Sequence, residues 1–369
     1  MTAPVAPWPA APHHGGPDAA GVPHFDFSTN SNACGPCPEA LDAVRAADPT
    51  RYPDPAYTDL RERLAAFHGV VPERVVLAAS ASEFIHRITA LAAQQGVVQV
   101  ALPPHSYGDY AEAAQAWGLQ TTRVATGAAG LQWACEPSSP LGHADLSVPM
   151  WQRDGLERWC GEGAQALRVL DCAYVPLRLD ADGAWSGVPS AWLPTACWQL
   201  WTPNKALGLT GVRAAYAIAP QGSERLVGLL TALAPSWPVG AHGVALLQAW
   251  LQPQAQQWLV GSLATLHTWK ARQQALCREL GWAVHPGSLA NYFCAQPASR
   301  SLPDDLAALR RAGIKLRDTA SFGLPGCVRL GVLEPAAQDA LRAAWQALAG
   351  TTGFTGRTIP HSTGSQETL

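Results

Sequence analysis

A lysine, a threonine and an arginine lie close together around one polar turn of the sequence. Thr202 and Lys205 follow the apolar run 196–201, and Arg213 lies at the start of a second run, 212–219. A lysine amine can form a Schiff base with an aldehyde, while a hydroxyl and a guanidinium suit a phosphate. A turn between two buried strands lies at a sheet edge, where α/β proteins bind ligands. The turn predicts a cofactor site, although a lone loop lysine is more often solvated.

A carboxylate and a tyrosine lie at the end of another apolar run. Asp171 directly follows residues 167–170, and Tyr174 lies three positions further on. An acid at a strand end can pair with a cationic ring nitrogen, and a nearby tyrosine can hydrogen-bond a phenolic oxygen. Taken alone, Asp171 is better explained as the cap of the next turn.

A strand, a turn of small residues and a helix offer a place for an anion. The run 74–78 leads into Ser80, Ala81 and Ser82, after which apolar residues recur at helical spacing. Free N–H groups and the positive end of the helix dipole attract a phosphate at such a point. The signal is weak by itself because many helices begin with serine.

Two further residues are candidates for the same site. Tyr107, at the start of a helix, could lie flat on a cofactor ring, with ordinary packing as the alternative. Arg329 lies inside the apolar run 327–332. An unpaired charge is costly to bury there, so an anionic partner is expected.

The elements that must position these residues alternate between short strands and helices. After about residue 280, short strands are separated by helices at 304–312 and 335–349, which predicts a compact α+β subdomain. We expect residues 1–24 to form a flexible arm and residues 351–369 a disordered tail, because both are rich in small and polar residues.

The composition of the chain argues against several classes of protein. The 369 residues are 48% hydrophobic and 14% charged, enough for one large and one small domain. The net charge of −3 argues against a nucleic-acid surface, and no apolar stretch approaches the roughly 18 residues of a membrane span. The N-terminus lacks the pattern of a secretory signal. The nine cysteines include one C-x-x-C pair, Cys34 and Cys37, but no second pair or nearby histidine set completes a zinc site, so the cysteines indicate no metal site and favour the cytoplasm.

Taken in order along the chain, these motifs resemble those of the fold-type I pyridoxal-phosphate enzymes, the class I/II aminotransferase superfamily. The resemblance covers about residues 25–349, and its most specific part is Thr202-x-x-Lys205 with Arg213, joined to Asp171-x-x-Tyr174. It implies an α/β fold in which a large domain has a mostly parallel sheet flanked by helices, with a smaller α+β domain beside it. The implied division is 51–244 for the large domain and 25–50 with 245–350 for the small one.

The resemblance also assigns roles at the site, with pyridoxal 5′-phosphate as the cofactor. Lys205 would form the Schiff base, Asp171 would keep the ring nitrogen protonated, and Tyr174 would bond the phenolic oxygen. Tyr107 would stack on the ring. The residues implied to hold the cofactor phosphate are Ser80, Ala81, Ser82, Thr202 and Arg213, with Tyr52 reaching across the interface of a homodimer.

The opening motifs narrow the resemblance to one branch. His14-Gly15-Gly16, then Asp26-Phe27-Ser28-x-Asn30-x-Asn32, and later Arg317-Asp318 with Arg329, are similar to the threonine-phosphate decarboxylase branch of the cobalamin pathway. The implied substrate is an amino acid phosphate, most specifically L-threonine O-3-phosphate. Residues implied to contact it are Arg329, Arg317, Asn30 and His14.

One position departs from the family pattern. Ser139 stands where the family usually has an asparagine that bonds the phenolic oxygen of the cofactor. A hydroxyl can still donate but is shorter, so Ser139 stays a candidate to bind the cofactor, and the replacement supports a module without turnover. Two alternatives to the decarboxylase are open. One is a histidinol-phosphate-type aminotransferase with the same cofactor residues, and the other is a degenerate cofactor-binding module without turnover.

Overall fold

The structure, a computed structural model, describes residues 15–123, 130–153 and 166–351. Its strands are β1 (Phe25–Asp26), β2 (Val75–Ala78), β3 (Gln99–Ala101), β4 (Gln120–Thr122), β5 (Leu131–Cys135), β6 (Leu167–Asp171), β7 (Trp198–Trp201), β8 (Ala215–Ile218), β9 (Ala283–Val284), β10 (Tyr292–Gln296), β11 (Ile314–Lys315), β12 (Arg317–Asp318) and β13 (Val328–Gly331). Its α-helices are α1 (Pro38–Ala46), α2 (Thr58–His68), α3 (Ala81–Gln94), α4 (Gly108–Ala116), α5 (Ser147–Arg153), α6 (Glu224–Ala232), α7 (Ala241–Trp250), α8 (Pro253–Glu279), α9 (Leu302–Arg311) and α10 (Pro335–Thr351).

A seven-stranded sheet in the order β2-β8-β7-β6-β5-β3-β4 forms the centre of the fold. Six of its strands run in one direction, and β8 is antiparallel to both of its neighbours, β2 and β7. The prediction of an α/β fold with a mostly parallel sheet is confirmed. The carboxyl ends of the six parallel strands, and the start of β8, therefore lie along one edge.

Apolar layers cover both faces of this sheet. One cluster joins β-strand side chains to α3, α4 and α6, and another joins the opposite face to α2, α7 and α8. Strands such as β2 and β7 are buried at every position, as expected for a sheet covered on both faces. The sheet is thus a rigid support, and polar groups can lie at the edge where its parallel strands end.

The helix after β2 begins where the sequence predicts. Ser80 caps α3, its Oγ accepting a hydrogen bond from the backbone N–H of Glu83 at 3.1 Å, and the Glu83 carboxylate accepts from Ala79 N–H at 3.2 Å. This reciprocal capping fixes the first turn of α3 at the sheet edge.

A second, antiparallel sheet has the order β12-β13-β10-β9 and packs against α9 and α10. Its register places Arg317 of β12 directly opposite Arg329 of β13. The parallel pair β1 and β11 attaches the N-terminal segment to this part of the chain. The predicted domain boundaries stay a proposal.

The described part of the N-terminal segment is tied to the small sheet region. Gly16 N–H donates to Ser28 Oγ at 2.9 Å, and Lys315 Nζ donates to the Gly16 carbonyl at 2.5 Å. Asp18 pairs with Arg310 and Lys315, which hold the pKa of its carboxyl well below the usual value. Residues 1–14 and 352–369, on which the predicted arm and tail largely fall, lie outside the described residues.

The described ranges hold neither a membrane-spanning helix nor a disulfide. None of the helices there is long and apolar enough to cross a membrane. All eight cysteines placed by the structure are free thiols. A cytoplasmic location stays a prediction.

Half-buried His68 makes the stability of the fold depend on pH. Its Nε2 lies 2.9 Å from the Tyr216 hydroxyl in an aromatic cluster, and burial, with nearby Arg74, lowers the pKa of His68 from 6.5 to about 3. Because the folded-state pKa is depressed, the neutral histidine favours the fold above pH 6.5, and this contribution is lost as the pH falls toward 3. Between pH 7.5 and 5 the loss is expected to be on the order of 1 kcal/mol.

His68→Gln, which does not titrate, should flatten this pH dependence. Urea unfolding at several pH values measures it, and His267→Gln, at an exposed histidine, is the control. Equal slopes for wild type and His68→Gln would contradict the assignment.

Candidate active site

A cavity of about 750 Å³ opens at the edge where the parallel strands end. Side chains from the large sheet, the small sheet and the N-terminal segment all line it. The predicted site residues among its lining are Asn30, Ser80, Ala81, Ser82, Tyr107, Ser139, Asp171, Tyr174, Thr202, Lys205, Arg213, Arg317 and Arg329. The fold therefore gathers into one cavity residues that lie up to about 300 positions apart, such as Ser28 and Arg329.

One predicted site residue of the described chain, Tyr52, does not line this cavity. Tyr52 is 77% exposed and stacks on Trp237, with ring centroids 4.4 Å apart. It is absent from the cavity lining of its own chain. His14 lies outside the described residues.

One corner of the cavity suits an anion. Ser80 and Ser82 lie at the start of α3, and Thr202 and Arg213 come from the ends of β7 and β8 at the same edge. Thr202 Oγ1 is buried and has no hydrogen-bond partner among the described residues. A buried hydroxyl without a partner is costly, so this atom fits a ligand with acceptor oxygens, such as a phosphate.

Asp171 ends β6 beneath the centre of the cavity. Its Oδ1 accepts from Ala173 N–H at 2.9 Å, and its Oδ2 accepts from the Tyr110 hydroxyl at 2.7 Å. Burial raises the pKa of Asp171, while the hydrogen bonds from Tyr110 and Ala173 and the charge of Lys205 oppose that rise. The Asp171 carboxylate is thus suited to bind a ligand atom that is positively charged or carries a proton.

Lys205 lies beside two polar groups that the chain brings from far away. Its Nζ is 5.4 Å from the centre of the Tyr174 ring. The Tyr174 hydroxyl accepts from Asn30 Nδ2 at 3.2 Å, and Asn30 Oδ1 is buried without a partner in the described chain. Asn32 N–H donates to the Lys205 carbonyl at 2.9 Å, which fixes the lysine turn to the N-terminal segment.

Two arginines converge on the opposite side of the cavity. Arg329 donates to the Ser28 carbonyl at 3.0 Å and to Ser139 Oγ at 3.3 Å, and Arg317 donates to Ser321 Oγ at 2.9 Å. Both guanidinium carbons lie over the Phe322 ring, at 4.7 Å for Arg317 and 5.5 Å for Arg329. Burial, together with Arg329, lowers the pKa of Arg317 to about 10. Two cations placed this close favour a ligand with two negative charges.

The structure adds residues that the sequence patterns did not indicate. Tyr110 reaches Asp171, Ser28 orients Arg329, and Phe322 supports both arginines. Gly15 and Gly16 bring the N-terminal segment to the cavity, and a Cβ on Gly15 would lie 2.2 Å from the Ser28 carbonyl oxygen. The glycine pair and Ser28 lie in the opening motifs, which gave them no role, and Tyr110 carried no signal in the sequence.

Comparison with known proteins gives the class to which this fold and site belong. The sequence profile of the aminotransferase class I and II family matches residues 23–133 and 195–344. The histidinol-phosphate aminotransferase of Jannaschia sp. (strain CCS1) is 29% identical over 360 residues, covering 91% of this chain and 96% of the relative. One of Bradyrhizobium diazoefficiens is 30% identical over 312 residues, covering 79% of this chain and 83% of the relative.

Solved structures agree on the fold. Histidinol-phosphate aminotransferase from Sinorhizobium meliloti, in complex with pyridoxal 5′-phosphate, has a TM-score of 0.68 at 21% identity and covers 87% of this chain and 90% of its own. L-threonine-O-3-phosphate decarboxylase from Porphyromonas gingivalis has a TM-score of 0.62 at 18% identity and covers 85% of this chain and 94% of its own.

The chain belongs to the aminotransferase class I and II family. It is a pyridoxal 5′-phosphate-dependent enzyme of that family, as the resemblance of its motifs implied. The residues present fit the cofactor, since buried Thr202 Oγ1 lacks a partner among the described residues and suits a phosphate, and buried Asp171 suits the ring nitrogen.

Ser139→Asn should tighten cofactor binding severalfold. Ser139 Oγ contacts Arg329, and a longer amide at this position can also donate to the phenolic oxygen of the cofactor. The dissociation constant of pyridoxal 5′-phosphate from the two proteins, followed by tryptophan fluorescence, measures the change. Ser138→Asn, one residue outside the cavity lining, is the control. Unchanged affinity would mean that the site is complete with serine.

Proposed function

We propose that the protein is an aminotransferase that acts on a phosphorylated amine, with histidinol phosphate as the substrate. The observation that carries this proposal is the pairing of Arg317 and Arg329 in the cavity that also holds Lys205 and Asp171. The curated relatives described above bear this name and match most of the chain. These relatives favour the aminotransferase, whereas the opening motifs of the sequence favoured the decarboxylase.

Each cavity residue has a proposed role in the reaction that suits its position. Bound pyridoxal 5′-phosphate supplies an aldehyde for covalent attachment and a ring that withdraws electrons from the substrate carbon. Lys205 Nζ anchors the cofactor and then carries the proton to and from the substrate α-carbon. Asp171 holds a proton on the ring nitrogen, and the Tyr174 hydroxyl bonds the phenolic oxygen. Tyr107 packs against the ring.

Arg317 and Arg329 bind the anionic groups of the substrates. Histidinol phosphate offers a phosphate, and the amino-group donor or acceptor of the paired half-reaction offers carboxylates. Planar guanidinium groups recognise both anions through paired hydrogen bonds. Arg329, fixed by Ser28 and Ser139, binds the carboxylate or the phosphate in turn, and Arg317 neutralises the second charge. Asn30, through its free Oδ1, faces the bound substrate.

Tyr52 serves a neighbouring subunit. Its exposed ring lies on Trp237 outside its own cavity, which suits a side chain that reaches the cofactor phosphate of a partner in a homodimer. Light scattering of the purified protein tests the dimer. Tyr52→Phe tests the contact, with an expected loss of cofactor affinity and no change in thermal stability.

A second candidate is decarboxylation of L-threonine O-3-phosphate. A phosphate and a carboxylate on one substrate would also occupy the Arg317 and Arg329 pair, and a decarboxylase shares the fold. The third alternative, a binding module without turnover, has the Ser139 replacement as its support.

One experiment separates the three candidates. The cofactor-loaded protein is incubated with histidinol phosphate and 2-oxoglutarate, and in parallel with threonine phosphate alone. Glutamate formed from 2-oxoglutarate supports the aminotransferase. Carbon dioxide released from threonine phosphate without an oxo acid supports the decarboxylase instead. Neither product, with cofactor bound, supports the binding module.

A further inference from the structure

A buried tyrosine that neither the sequence motifs nor the comparisons assign lies directly behind Asp171. Tyr110, in α4, is fully buried, and its hydroxyl donates to Asp171 Oδ2 at 2.7 Å. Its ring stacks on Trp133 of β5, with centroids 4.4 Å apart and planes 10° from parallel. The edge of Tyr107 meets the same ring at 5.8 Å and 88°. These two ring contacts and the hydrogen bond to Asp171 hold the hydroxyl in one place.

This hydrogen bond opposes the effect of burial on Asp171. Burial raises the pKa of Asp171, and the hydrogen bond from Tyr110 is the first of the influences that lower it. Burial, with the negative charge of Asp171, also raises the pKa of Tyr110 well above its ordinary value, so Tyr110 keeps its proton and stays the donor. The Tyr110 hydrogen bond thus favours the ionised form of Asp171, while the second oxygen, Oδ1, is fixed by Ala173.

We propose that Tyr110 is a positioning residue that acts through Asp171 to set how strongly the protein holds the ring nitrogen of pyridoxal 5′-phosphate. It does so by keeping Asp171 ionised and by fixing the direction of its carboxylate. The proposal rests on the role given to Asp171 above, and it is independent of which substrate the enzyme uses.

Tyr110→Phe tests this by removing the hydroxyl and keeping the ring stack. The dissociation constant is measured by tryptophan fluorescence for pyridoxal 5′-phosphate and for an analogue whose ring nitrogen is replaced by carbon. A hydrogen bond to a charged group makes a difference on the order of tenfold in affinity. We expect Tyr110→Phe to bind the natural cofactor about tenfold more weakly than wild type. The two proteins should bind the carbon analogue with nearly equal affinity.

Tyr216→Phe is the matched control. Tyr216, in β8 of the large sheet, is another fully buried tyrosine, and its hydroxyl bonds Trp250 and His68 outside the cavity. Its variant also loses a buried hydroxyl, so both variants should lose thermal stability, but Tyr216→Phe should bind the two cofactors as wild type does.

Three outcomes overturn the proposal. In the first, Tyr110→Phe binds the natural cofactor as tightly as wild type does. In the second, Tyr110→Phe binds both cofactors more weakly by the same factor. In the third, Tyr216→Phe shows the same selective loss of affinity for the natural cofactor. The Asp171→Asn variant shows which part of the proposal is wrong if one of these outcomes is found. If Asp171→Asn weakens the natural cofactor selectively and Tyr110→Phe does not, only the role of Tyr110 is wrong. If Asp171→Asn also binds both cofactors as wild type does, the role of Asp171 is wrong as well.

Discussion

Lys205→Ala is expected to abolish turnover and the covalent attachment of the cofactor. In the proposed function, the variant loses both the amine that anchors pyridoxal 5′-phosphate and the base that moves the substrate proton. Acid–base catalysis alone contributes about 10²–10⁴-fold, so the combined loss should be on the order of 10⁴-fold or more. Borohydride reduction followed by peptide mass spectrometry should find the cofactor on Lys205 in wild type and no adduct in the variant.

The control for this result is another lysine near the cavity. Lys315 donates to the Gly16 carbonyl, and Lys315→Arg removes a primary amine while it keeps the charge. That variant should keep the adduct on Lys205. An adduct that persists in Lys205→Ala, mapped to Lys270 or Lys315, would remove the central assignment of the site.

Arg329→Ala is expected to lower kcat/KM for the anionic substrates by about 10²–10³-fold. A guanidinium that makes two charge-assisted hydrogen bonds contributes roughly 3–4 kcal/mol, and most of the loss should appear in KM because the arginine binds a group remote from the reacting carbon. Arg329→Lys should recover only part of the activity, since an ammonium cannot make the same paired contact. Steady-state kinetics with each substrate measures both variants.

Two checks make the Arg329 result specific. Arg342→Ala removes an arginine that pairs with Glu279 at the surface, and it should leave kcat/KM unchanged. Borohydride labelling of Arg329→Ala at Lys205 should match wild type, which shows that the cofactor site is intact. Substrate kinetics like those of wild type would rule out a role for Arg329 in binding the anion.

Local patterns in the sequence were enough to predict much of the frame. Ser80 caps α3 and Glu83 completes the cap, an arrangement that depends only on neighbours along the chain. Gly69 ends α2 in the left-handed conformation, with φ of 64°, as its position after an amphipathic run indicates. Such features need no knowledge of distant residues, so the sequence shows them directly.

Relations between strands could not be obtained in the same way. Arg317 was a candidate through its resemblance to a family motif, but its position directly opposite Arg329 follows from the pairing of β12 with β13. Ser139 was expected to serve the phenolic oxygen, and the structure shows its hydroxyl bonded to Arg329, 190 residues away. Register and strand order are decided by packing of the whole core, and no local spacing encodes them.

The sequence alone determined the chemical inventory of this protein: an amine in a polar turn, an acid and a tyrosine at a strand end, and arginines in apolar runs. The tertiary structure decided which of these groups meet. It placed Tyr110 behind Asp171 across 61 residues, and Arg329 beside Ser28 across 301. The physical reason is that helices and loops packed against the sheets bring together residues from distant parts of the chain, and a hydrogen bond is electrostatically stronger in the low-dielectric core than in water.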